Sequence, residues 1–260
     1  VKTIDRPVRI WVDGYEANVE QRVGSGQVAV ELLKHLYQID QINHYTILLP
    51  SAKLADLPEE RTNWQYQILK PRRLWTRIAL PLKLLSAKQK PDVFFSPGHY
   101  APLWSRIPRV ITIFDLAYWN FPEMFKPRDL WQLKHWSKQS IKKAKQIITI
   151  SQSTKADLLK HYKVLSKNIT VAYPGYDQNI FKEQLSSEHR QQILDKYQIK
   201  GDYFIYTGTL QPRKNLIRLI DAFSKLIHEP GQNFDMQLVI VGKTKGAGRQ
   251  GWMYQEILDR

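Results

Sequence analysis

The 260-residue sequence contains no cysteine, which excludes disulfide bonds and any metal site that needs a thiolate ligand. Its seven histidines are scattered without a His-Glu-x-x-His pair or a similar spacing, so we predict that no metal is bound. No run of about 18 apolar residues is present, so no membrane-spanning helix is expected. The first residues lead directly into a strand pattern, and we therefore expect no signal peptide and a cytoplasmic location.

Acidic residues are scarce in the first two thirds of the chain. Residues 1–175 contain 27 lysines and arginines against 14 aspartates and glutamates, whereas residues 176–260 contain 12 against 10. Within residues 61–109, Asp92 is the only acidic side chain among ten basic ones. Charge that serves solubility usually mixes both signs, so this asymmetry favours a polyanionic partner, either an anionic membrane or a nucleic acid. Because no RNP, KH or helix-turn-helix pattern accompanies the charge, we predict no specific nucleic-acid partner.

Two segments combine this positive charge with large apolar residues. Pro81 interrupts the first segment, residues 71–91, and predicts two short helical pieces there. We expect its apolar side chains to pack on a sheet, while its charges could face anionic lipid on the inner side of the plasma membrane. Residues 126–167, which carry Trp131 and Trp136, form a second basic segment that could serve the same surface. The apolar residues of the first segment include Leu74, Trp75, Ile78, Leu82 and Leu85, and the basic ones include Arg72, Arg73, Arg77, Lys83 and Lys88.

Short apolar runs alternate with helical patterns over residues 1–175. Several runs, such as Val93-Phe94-Phe95, are continuous, which is typical of parallel strands buried on both faces. Strands are predicted at 8–13, 45–50, 65–69, 92–97, 109–115, 146–151 and 169–174, and helices at about 27–39, 128–145 and 153–162. Alternating strands and helices predict an α/β fold with a complete, Rossmann-like, doubly wound parallel sheet in this part.

A second series of strands and helices begins after a polar segment. We interpret residues 176–200 as a linker with a loose helix at 186–197, and residues 201–260 as a partial second Rossmann-like domain. Strands are predicted at 203–207 and 236–241. Two strands do not make a doubly wound sheet, so we expect either a fragment of a longer protein or an incomplete second domain.

Two adjacent cations, Arg213 and Lys214, stand at the predicted start of the helix that follows the strand at 203–207 and Gly208. A helix N-terminus is partly positive, so cations there are unfavourable by roughly 0.3–1 kcal/mol unless an anion lies between them and the backbone N–H groups. A phosphate fits that description, and the carboxyl ends of strands are where ligands bind in open α/β sheets. The alternative is that both residues are solvated surface charges.

Gly24-Ser25-Gly26 follows the first predicted strand and immediately precedes a periodic helix. Gly24 and Gly26 would let a phosphate or sugar approach the backbone, although an ordinary flexible loop is the alternative. We expect this turn and the Gly208 turn, one in each domain, to face each other across a cleft that holds a diphosphate.

Five segments resemble, in order along the chain, the retaining glycosyltransferase family 4. They are IFDLAYWNFPEMF at 113–125, ISQSTKADLLKHY at 150–162, VAYPGYDQNIF at 171–181, YTGTL at 206–210 and PRKN at 212–215. The likeness to bacterial mannosyltransferase-type members implies the GT-B fold. It also implies a role for Arg213 and Lys214 in gripping the diphosphate of a nucleotide sugar, and supports the donor-facing role of the loop at 24–26.

The resemblance implies an enzyme that moves a hexose, by likeness mannose, from a nucleotide diphosphate sugar to a glycan or lipid-linked acceptor. Transfer would proceed with retention and without a cofactor, from GDP-mannose or a UDP-sugar as donor substrate, in polysaccharide biosynthesis. Cations that stabilise a departing diphosphate supply electrostatic catalysis without a metal. The second hypothesis is a non-catalytic relative that serves as a basic membrane- or glycan-binding module. The sequence makes no prediction of oligomeric state.

The chain departs from the resembled pattern at two places. Members of the family commonly have His-Asp-Leu where this chain has Phe114, Asp115 and Leu116, and His99 could supply an imidazole instead or be an ordinary loop residue. Asp115 could orient an acceptor hydroxyl or act as a base, or it could cap the following turn. The acidic E-x7-E segment that contacts the donor in the family has no match before Arg260. Near residue 154, Thr154-x-x-Asp157 predicts a structural capping box.

Overall fold

The computed structural model describes residues 6–22, 24–182, 186–210, 212–229, 235–242 and 255–260. It divides into two compact units, Val1–Gly175 and Tyr176–Arg260. Each unit has its own sheet and its own apolar core.

In the described part of the first unit, seven parallel strands form a sheet in the order β3-β2-β1-β4-β5-β6-β7. All seven predicted strands are confirmed, as is their parallel arrangement. The order reverses between β1 and β4, so the connections that leave these two neighbours diverge, and such a switch point is where open α/β sheets bind ligands. The strands are β1 (Arg9–Asp13), β2 (His44–Leu49), β3 (Trp64–Ile68), β4 (Val93–Ser96), β5 (Arg109–Ile113), β6 (Gln146–Thr149) and β7 (Ile169–Val171).

The helices of the first unit connect these strands across the two faces of the sheet. They are α1 (Gly24–Ile39), α2 (Ala79–Ser86), α3 (Ala117–Asn120), α4 (Pro127–Lys143) and α5 (Gln152–Tyr162), with short 3-10 turns at Pro122–Met124 and Ser166–Asn168. The prediction of two helical pieces around Pro81 is wrong, because Pro81 is the third residue of the single helix α2. In the first turn of a helix the missing proline N–H costs no internal hydrogen bond.

The core follows the two-residue alternation of side chains along the central strands. On one face, α1 packs its buried Ala29 and Leu33 against Val12 of β1 and Phe95 of β4. The residues that precede these strand positions, Trp11 and Phe94, point to the other face and contact the buried residues of α2. Further along that sheet, α4 and α5 cover β5, β6 and β7. This third cluster includes Ile111, Ile113, Ile141, Ile147 and Leu158.

In its described residues the second unit contains two parallel strands, β8 (Asp202–Thr207) and β9 (Met236–Val241), which confirms both strand predictions. Its helices are α6 (Ser187–Lys196), α7 (Leu216–Ile227) and α8 (Gln255–Leu258), with a 3-10 turn at Pro212–Lys214. Helix α6 lies within the segment that we interpreted as a linker, and Ser186 caps it by accepting the N–H of His189 at 3.2 Å. Among the described residues of this unit, the buried core centres on Leu210, Leu216 and Ile257.

Among the helices in the described ranges, none is both long and apolar enough to cross a lipid bilayer.

Candidate active site

The carboxyl end of β1 lies at the switch point and turns sharply into the loop that leads to α1. The N–H of Gly14 donates to the carbonyl of Leu48 at 2.9 Å, so the loop starts tight against β2. A Cβ at Gly14 would lie 2.6 Å from Cδ2 of Leu49 and 3.1 Å from the carbonyl oxygen of Leu48, so a larger residue would require its neighbours to shift. The close approach fixes where the following residues, Tyr15 and Glu16, leave the sheet.

Gly24, Ser25 and Gly26 form the first turn of α1, so the prediction of a loop before the helix is wrong by three residues. A Cβ on the buried Gly26 would lie 2.8 Å from the carbonyl oxygen of Glu16, which explains why this position needs glycine. Gly24 is exposed, and apart from its chain neighbours and its own helix no described atom lies within 4 Å of where its Cβ would be. Packing therefore accounts for Gly26, while contact of either glycine with a substrate stays a prediction.

His99 lies in the loop after β4 and contacts the end of the neighbouring strand β5. Its Nε2 accepts the backbone N–H of Phe114 at 3.1 Å, and its ring stacks on the Phe114 ring with centroids 5.8 Å apart. An accepting Nε2 places the proton of the neutral ring on Nδ1. The structure thus brings an imidazole beside the residue that replaces histidine in the resembled motif, and the catalytic role of His99 stays a prediction.

Asp115 is exposed and follows Phe114 at the carboxyl edge of the sheet. One of its carboxylate oxygens, Oδ1, accepts the N–H of Ala117 at 3.1 Å and so closes the turn that leads into α3. The capping alternative that the sequence left open is therefore present. A role in orienting an acceptor hydroxyl stays a prediction, and the capping bond would hold the carboxylate in place for it.

The start of α5 holds Phe114 from the other side. Ser151, not Thr154, is the N-cap, because its Oγ accepts the N–H of Thr154 at 3.1 Å, so the predicted capping box is wrong. Thr154 instead donates its Oγ1 proton to the carbonyl of Phe114 at 2.9 Å. Since His99 accepts the N–H and Thr154 binds the carbonyl, two side chains fix both backbone polar groups of Phe114.

A buried carboxylate that the sequence reasoning missed, Asp13, ends β1. Its Oδ1 accepts the indole N–H of Trp75 at 2.8 Å and the backbone N–H of Tyr15 at 3.1 Å. Burial raises the pKa of Asp13 to about 6, against the lowering effect of these two hydrogen bonds. The only sequence feature that could have singled out Asp13 is its position, since it is an acidic residue at the carboxyl end of the first strand.

In the second unit, two glycines end the parallel strands β8 and β9. The N–H of Gly208 donates to the carbonyl of Val241 at 2.9 Å, which extends the pairing beyond β8. A Cβ on Gly242 would collide with the carbonyl oxygen of Gly208. Gly242 is therefore needed where the two backbones meet, and contact between Gly208 and a substrate stays a prediction.

Arg213 and Lys214 follow this strand end, but they lie in the 3-10 turn Pro212–Lys214 rather than in the first turn of α7. The reason is Asn215, which has φ of 55°, a left-handed conformation that asparagine tolerates, and which separates the turn from Leu216. Within the described residues, the Asn215 side chain forms no capping hydrogen bond with α7, and the first turn of α7 has no acidic residue. Lys214 is exposed. An anion-binding role for both cations stays a prediction, as does the cleft between the two domains.

Among the residues that the structure describes, no three histidine, aspartate or glutamate side chains come together as a candidate metal site. The metal-independence of the chain stays a prediction.

The family model for Glycosyltransferase Family 4 matches residues 23–179, more than half of the chain. The O-antigen chain mannosyltransferase B of Escherichia coli is 22% identical over 248 residues, which cover 88% of this chain and 61% of that protein. The O-antigen chain mannosyltransferase RfbU of Salmonella typhimurium is 24% identical over 165 residues, 64% of this chain and 40% of that protein. The matched part of the chain thus spans about three fifths of the length of the first relative and two fifths of the second.

Two solved structures share the fold. Anabaena Alr3699/HepE, crystallised with UDP-glucose, superposes with a TM-score of 0.62 at 18% identity, over 97% of this chain and 64% of that one. A glycosyltransferase from Rickettsia africae superposes with a TM-score of 0.58 at 16% identity, over 93% of this chain and 62% of that one. At these identities the likeness shows the fold, which confirms the predicted GT-B type.

Proposed function

Because the chain belongs to glycosyltransferase family 4, we propose that it takes part in moving a hexose from a nucleotide diphosphate sugar to a glycan or lipid-linked acceptor. The observation that carries the proposal is the exposed Lys214 in the turn that follows the carboxyl end of β8. Strand ends of this kind are the ligand-binding edge of parallel sheets. The two relatives are mannosyltransferases by name, so mannose is the proposed sugar.

The second unit would bind the donor through the turn Pro212–Lys214. A diphosphate could accept charge-assisted hydrogen bonds from Arg213 and Lys214, and the N–H groups at the start of α7, which Asn215 does not cap, offer further donors. As the bond to the sugar breaks, negative charge grows on the leaving diphosphate. Fixed cations at that position stabilise the transition state more than the ground state, which accelerates transfer without requiring a metal.

The first unit would bind the acceptor at the carboxyl edge of its sheet. Asp115 is exposed there and is oriented by its bond to Ala117, so it can accept a hydrogen bond from an attacking hydroxyl. His99 lies beside Phe114 in the same region. The shared position of these side chains supports an acceptor site formed by the loops after β4 and β5.

GDP-mannose is the first candidate donor, because the relatives are O-antigen chain mannosyltransferases. A UDP-sugar is the second, because the Anabaena protein with the same fold was crystallised with UDP-glucose. The O-antigen relatives also support a growing polysaccharide as acceptor. We further propose transfer with retention, which the anomeric configuration of the product would test by NMR.

The test is calorimetric titration of the chain with GDP-mannose and with UDP-glucose. Lys214→Ala and Arg213→Ala should each weaken binding by roughly 10- to 150-fold, the range for a hydrogen bond to a charged group. Lys225→Ala and Arg190→Ala are matched controls, since both cations are exposed, one near the end of α7 and one on α6, and they should leave affinity within about twofold. Unchanged affinity in both turn variants would contradict the proposal.

A non-catalytic binding module is the second candidate, favoured by Phe114 at the position where the family commonly has histidine. Sugar transfer measured by mass spectrometry with a polysaccharide acceptor separates the two. Donor binding without sugar transfer, together with sugar transfer by the Phe114→His variant, would favour the second candidate.

A further inference from the structure

Glu16 lies in the loop between β1 and α1, next to the loop that follows β4. A Cβ added to Gly98, in the loop after β4, would lie 3.9 Å from Cγ of Glu16. Strands β1 and β4 are the neighbours at which the strand order reverses. Glu16 is therefore a charged side chain at the switch point, the place where open α/β sheets bind ligands.

The backbone of this loop is fixed on both sides of Glu16. The N–H of Asn18 donates to the carbonyl of Gly14 at 3.0 Å, and the buried side chain of Asn18 donates to the carbonyl of Ala52, in the loop after β2, at 2.9 Å. On the other side, Gly26 of α1 packs against the carbonyl oxygen of Glu16. The fold thus determines where the side chain of Glu16 leaves the loop.

The carboxylate of Glu16 uses little of its hydrogen-bonding capacity. Its Oε2 accepts the hydroxyl of Ser25 at 3.4 Å, which is longer than a usual bond between two oxygens. No ion pair in the described part of the chain includes Glu16. By contrast, the partly buried Asp40 and Asp92 each accept several shorter hydrogen bonds. Since an ionised carboxylate can accept about four hydrogen bonds, the half-buried Glu16 keeps acceptor positions for a ligand.

A second carboxylate with an unused oxygen ends β1. Asp13 is 9% exposed, and the hydrogen bonds from Trp75 and Tyr15 are both accepted by its Oδ1. Among the described residues, no group donates to Oδ2 of Asp13. Burial raises the pKa of Asp13 to about 6, and the charge of Glu16 adds to this rise, so the two carboxylates are near enough to repel each other. A buried polar atom without a protein partner indicates a place for a ligand or a water molecule.

The negative charge of Glu16 decides which chemical group fits beside it. Its carboxylate contacts Ser25 in the first turn of α1, where the partial positive charge of the helix N-terminus favours an anion. The chain's own carboxylate takes that position, so Glu16 and Asp13 would repel a phosphate there. A neutral hydroxyl would instead donate a charge-assisted hydrogen bond to Glu16. A metal ion normally takes more ligands than two carboxylates, and no third histidine, aspartate or glutamate joins them within the described ranges.

We propose that Glu16, positioned by Ser25, binds a hydroxyl of the acceptor sugar, so that the acceptor presents an uncharged sugar to the first unit. Oδ2 of Asp13 offers a second acceptor atom at the same strand end. The proposal rests on the proposed function and deepens it, because it selects neutral glycans over acceptors that end in a phosphate or a carboxylate.

The test is titration of the chain with mannotriose, an uncharged trisaccharide, followed by NMR of the sugar, and with the same trisaccharide carrying a phosphate on its terminal mannose. The unchanged chain should bind the neutral sugar about tenfold more tightly than the phosphorylated one. Glu16→Ala should weaken binding of mannotriose by roughly 10- to 150-fold, the range for a hydrogen bond to a charged group. Glu16→Gln keeps a neutral acceptor oxygen and should weaken it by about fivefold.

Glu20→Ala is the matched control, because Glu20 is an exposed glutamate of the same loop, and this variant should bind mannotriose like the unchanged chain. Glu16→Lys replaces the hydrogen-bond acceptor by a cation and should reverse the preference, so that the phosphorylated trisaccharide binds more tightly than the neutral one. A purely structural role for Glu16 predicts no such gain. Calorimetric titration with GDP-mannose should give the same affinity for every variant, since the donor is proposed to bind the second unit.

Four results would overturn the proposal. They are the absence of mannotriose binding by the unchanged chain, its tighter binding of the phosphorylated trisaccharide, equal affinities of Glu16→Ala and Glu20→Ala for mannotriose, and a loss of GDP-mannose affinity in Glu16→Ala with mannotriose binding intact. The last result would assign the carboxylate to the donor. Failure of the proposed function would look different, because the unchanged chain would then bind no sugar nucleotide while the effect of Glu16 on mannotriose persisted.

Discussion

Replacement of Asp13 by asparagine should change how the stability of the first unit depends on pH. The pKa of Asp13 is raised by burial to about 6, against roughly 3.9 for an exposed aspartate in the unfolded chain. Between these two values the folded state holds a proton that the unfolded state has released. The free energy of unfolding due to this group therefore falls as the pH rises from about 4 to about 6.

The size of the effect follows from the shift of about two pKa units, each worth about 1.4 kcal/mol, which gives about 3 kcal/mol. Asparagine cannot ionise, and its Oδ1 can still accept the indole N–H of Trp75. The difference in unfolding free energy between Asp13→Asn and the unchanged chain should thus shift by about 3 kcal/mol in favour of the variant between pH 4 and pH 8.

Urea unfolding followed by tryptophan fluorescence is a suitable assay, because seven of the eight tryptophans lie in residues 1–175. Asp56→Asn is the matched control. The hydrogen bond from Arg22 lowers the pKa of Asp56, so this substitution should cost more stability at neutral pH than in acid, the opposite sign. A difference between Asp13→Asn and the unchanged chain that is constant from pH 4 to pH 8 would refute the reasoning.

Two further substitutions test the geometry of the candidate active site. His99→Ala should leave the N–H of Phe114 without its acceptor and so lower the unfolding free energy by about 1–3 kcal/mol. The control His135→Ala removes an exposed histidine and should change the unfolding free energy little. Equal effects of the two substitutions in urea unfolding would contradict the contact between His99 and Phe114. Gly26→Ala should lower the melting temperature because its Cβ would meet a carbonyl oxygen at 2.8 Å, while Gly24→Ala, with open space around it, should raise or preserve it in calorimetry. A stable Gly26→Ala variant would argue against the observed start of α1.

The seven parallel strands could be predicted because a short run of apolar residues indicates each of them. The continuous run Val93-Phe94-Phe95 needs burial on both faces, and the structure places Phe94 against α2 and Phe95 against the α1 side. The first residues of the helices were harder to predict from the sequence. Gly24-Ser25-Gly26 has low helix propensity, and the turn forms because Gly26 packs against the carbonyl of Glu16.

The turn at Arg213 and Lys214 was located correctly at a strand end but assigned to the wrong element. Asn215 ends the 3-10 turn with a left-handed conformation, a property that asparagine allows without requiring it. The same limit applies at Pro81, which fits either a break or a first helical turn. The residue type limits the backbone conformations that are possible at such positions, and packing in the folded chain selects one of them.

Contacts between residues that are distant in sequence could not be predicted, because no local sequence pattern indicates them. The bond from Trp75 to Asp13 joins residues 62 positions apart, and the Thr154 hydroxyl reaches Phe114 across 40 positions. Both depend on which strands become neighbours, and local patterns in the sequence do not indicate strand order. The candidate cations, by contrast, could be singled out because charge beside a strand-ending glycine is visible locally.

A crystal structure of the chain with GDP-mannose or UDP-glucose tests the central claim most directly, that the turn Pro212–Lys214 holds the diphosphate of a sugar nucleotide. The account predicts a phosphate oxygen about 2.8 Å from Nζ of Lys214, the usual length of such a charge-assisted bond. A nucleotide sugar bound with its diphosphate away from Arg213 and Lys214 would contradict it.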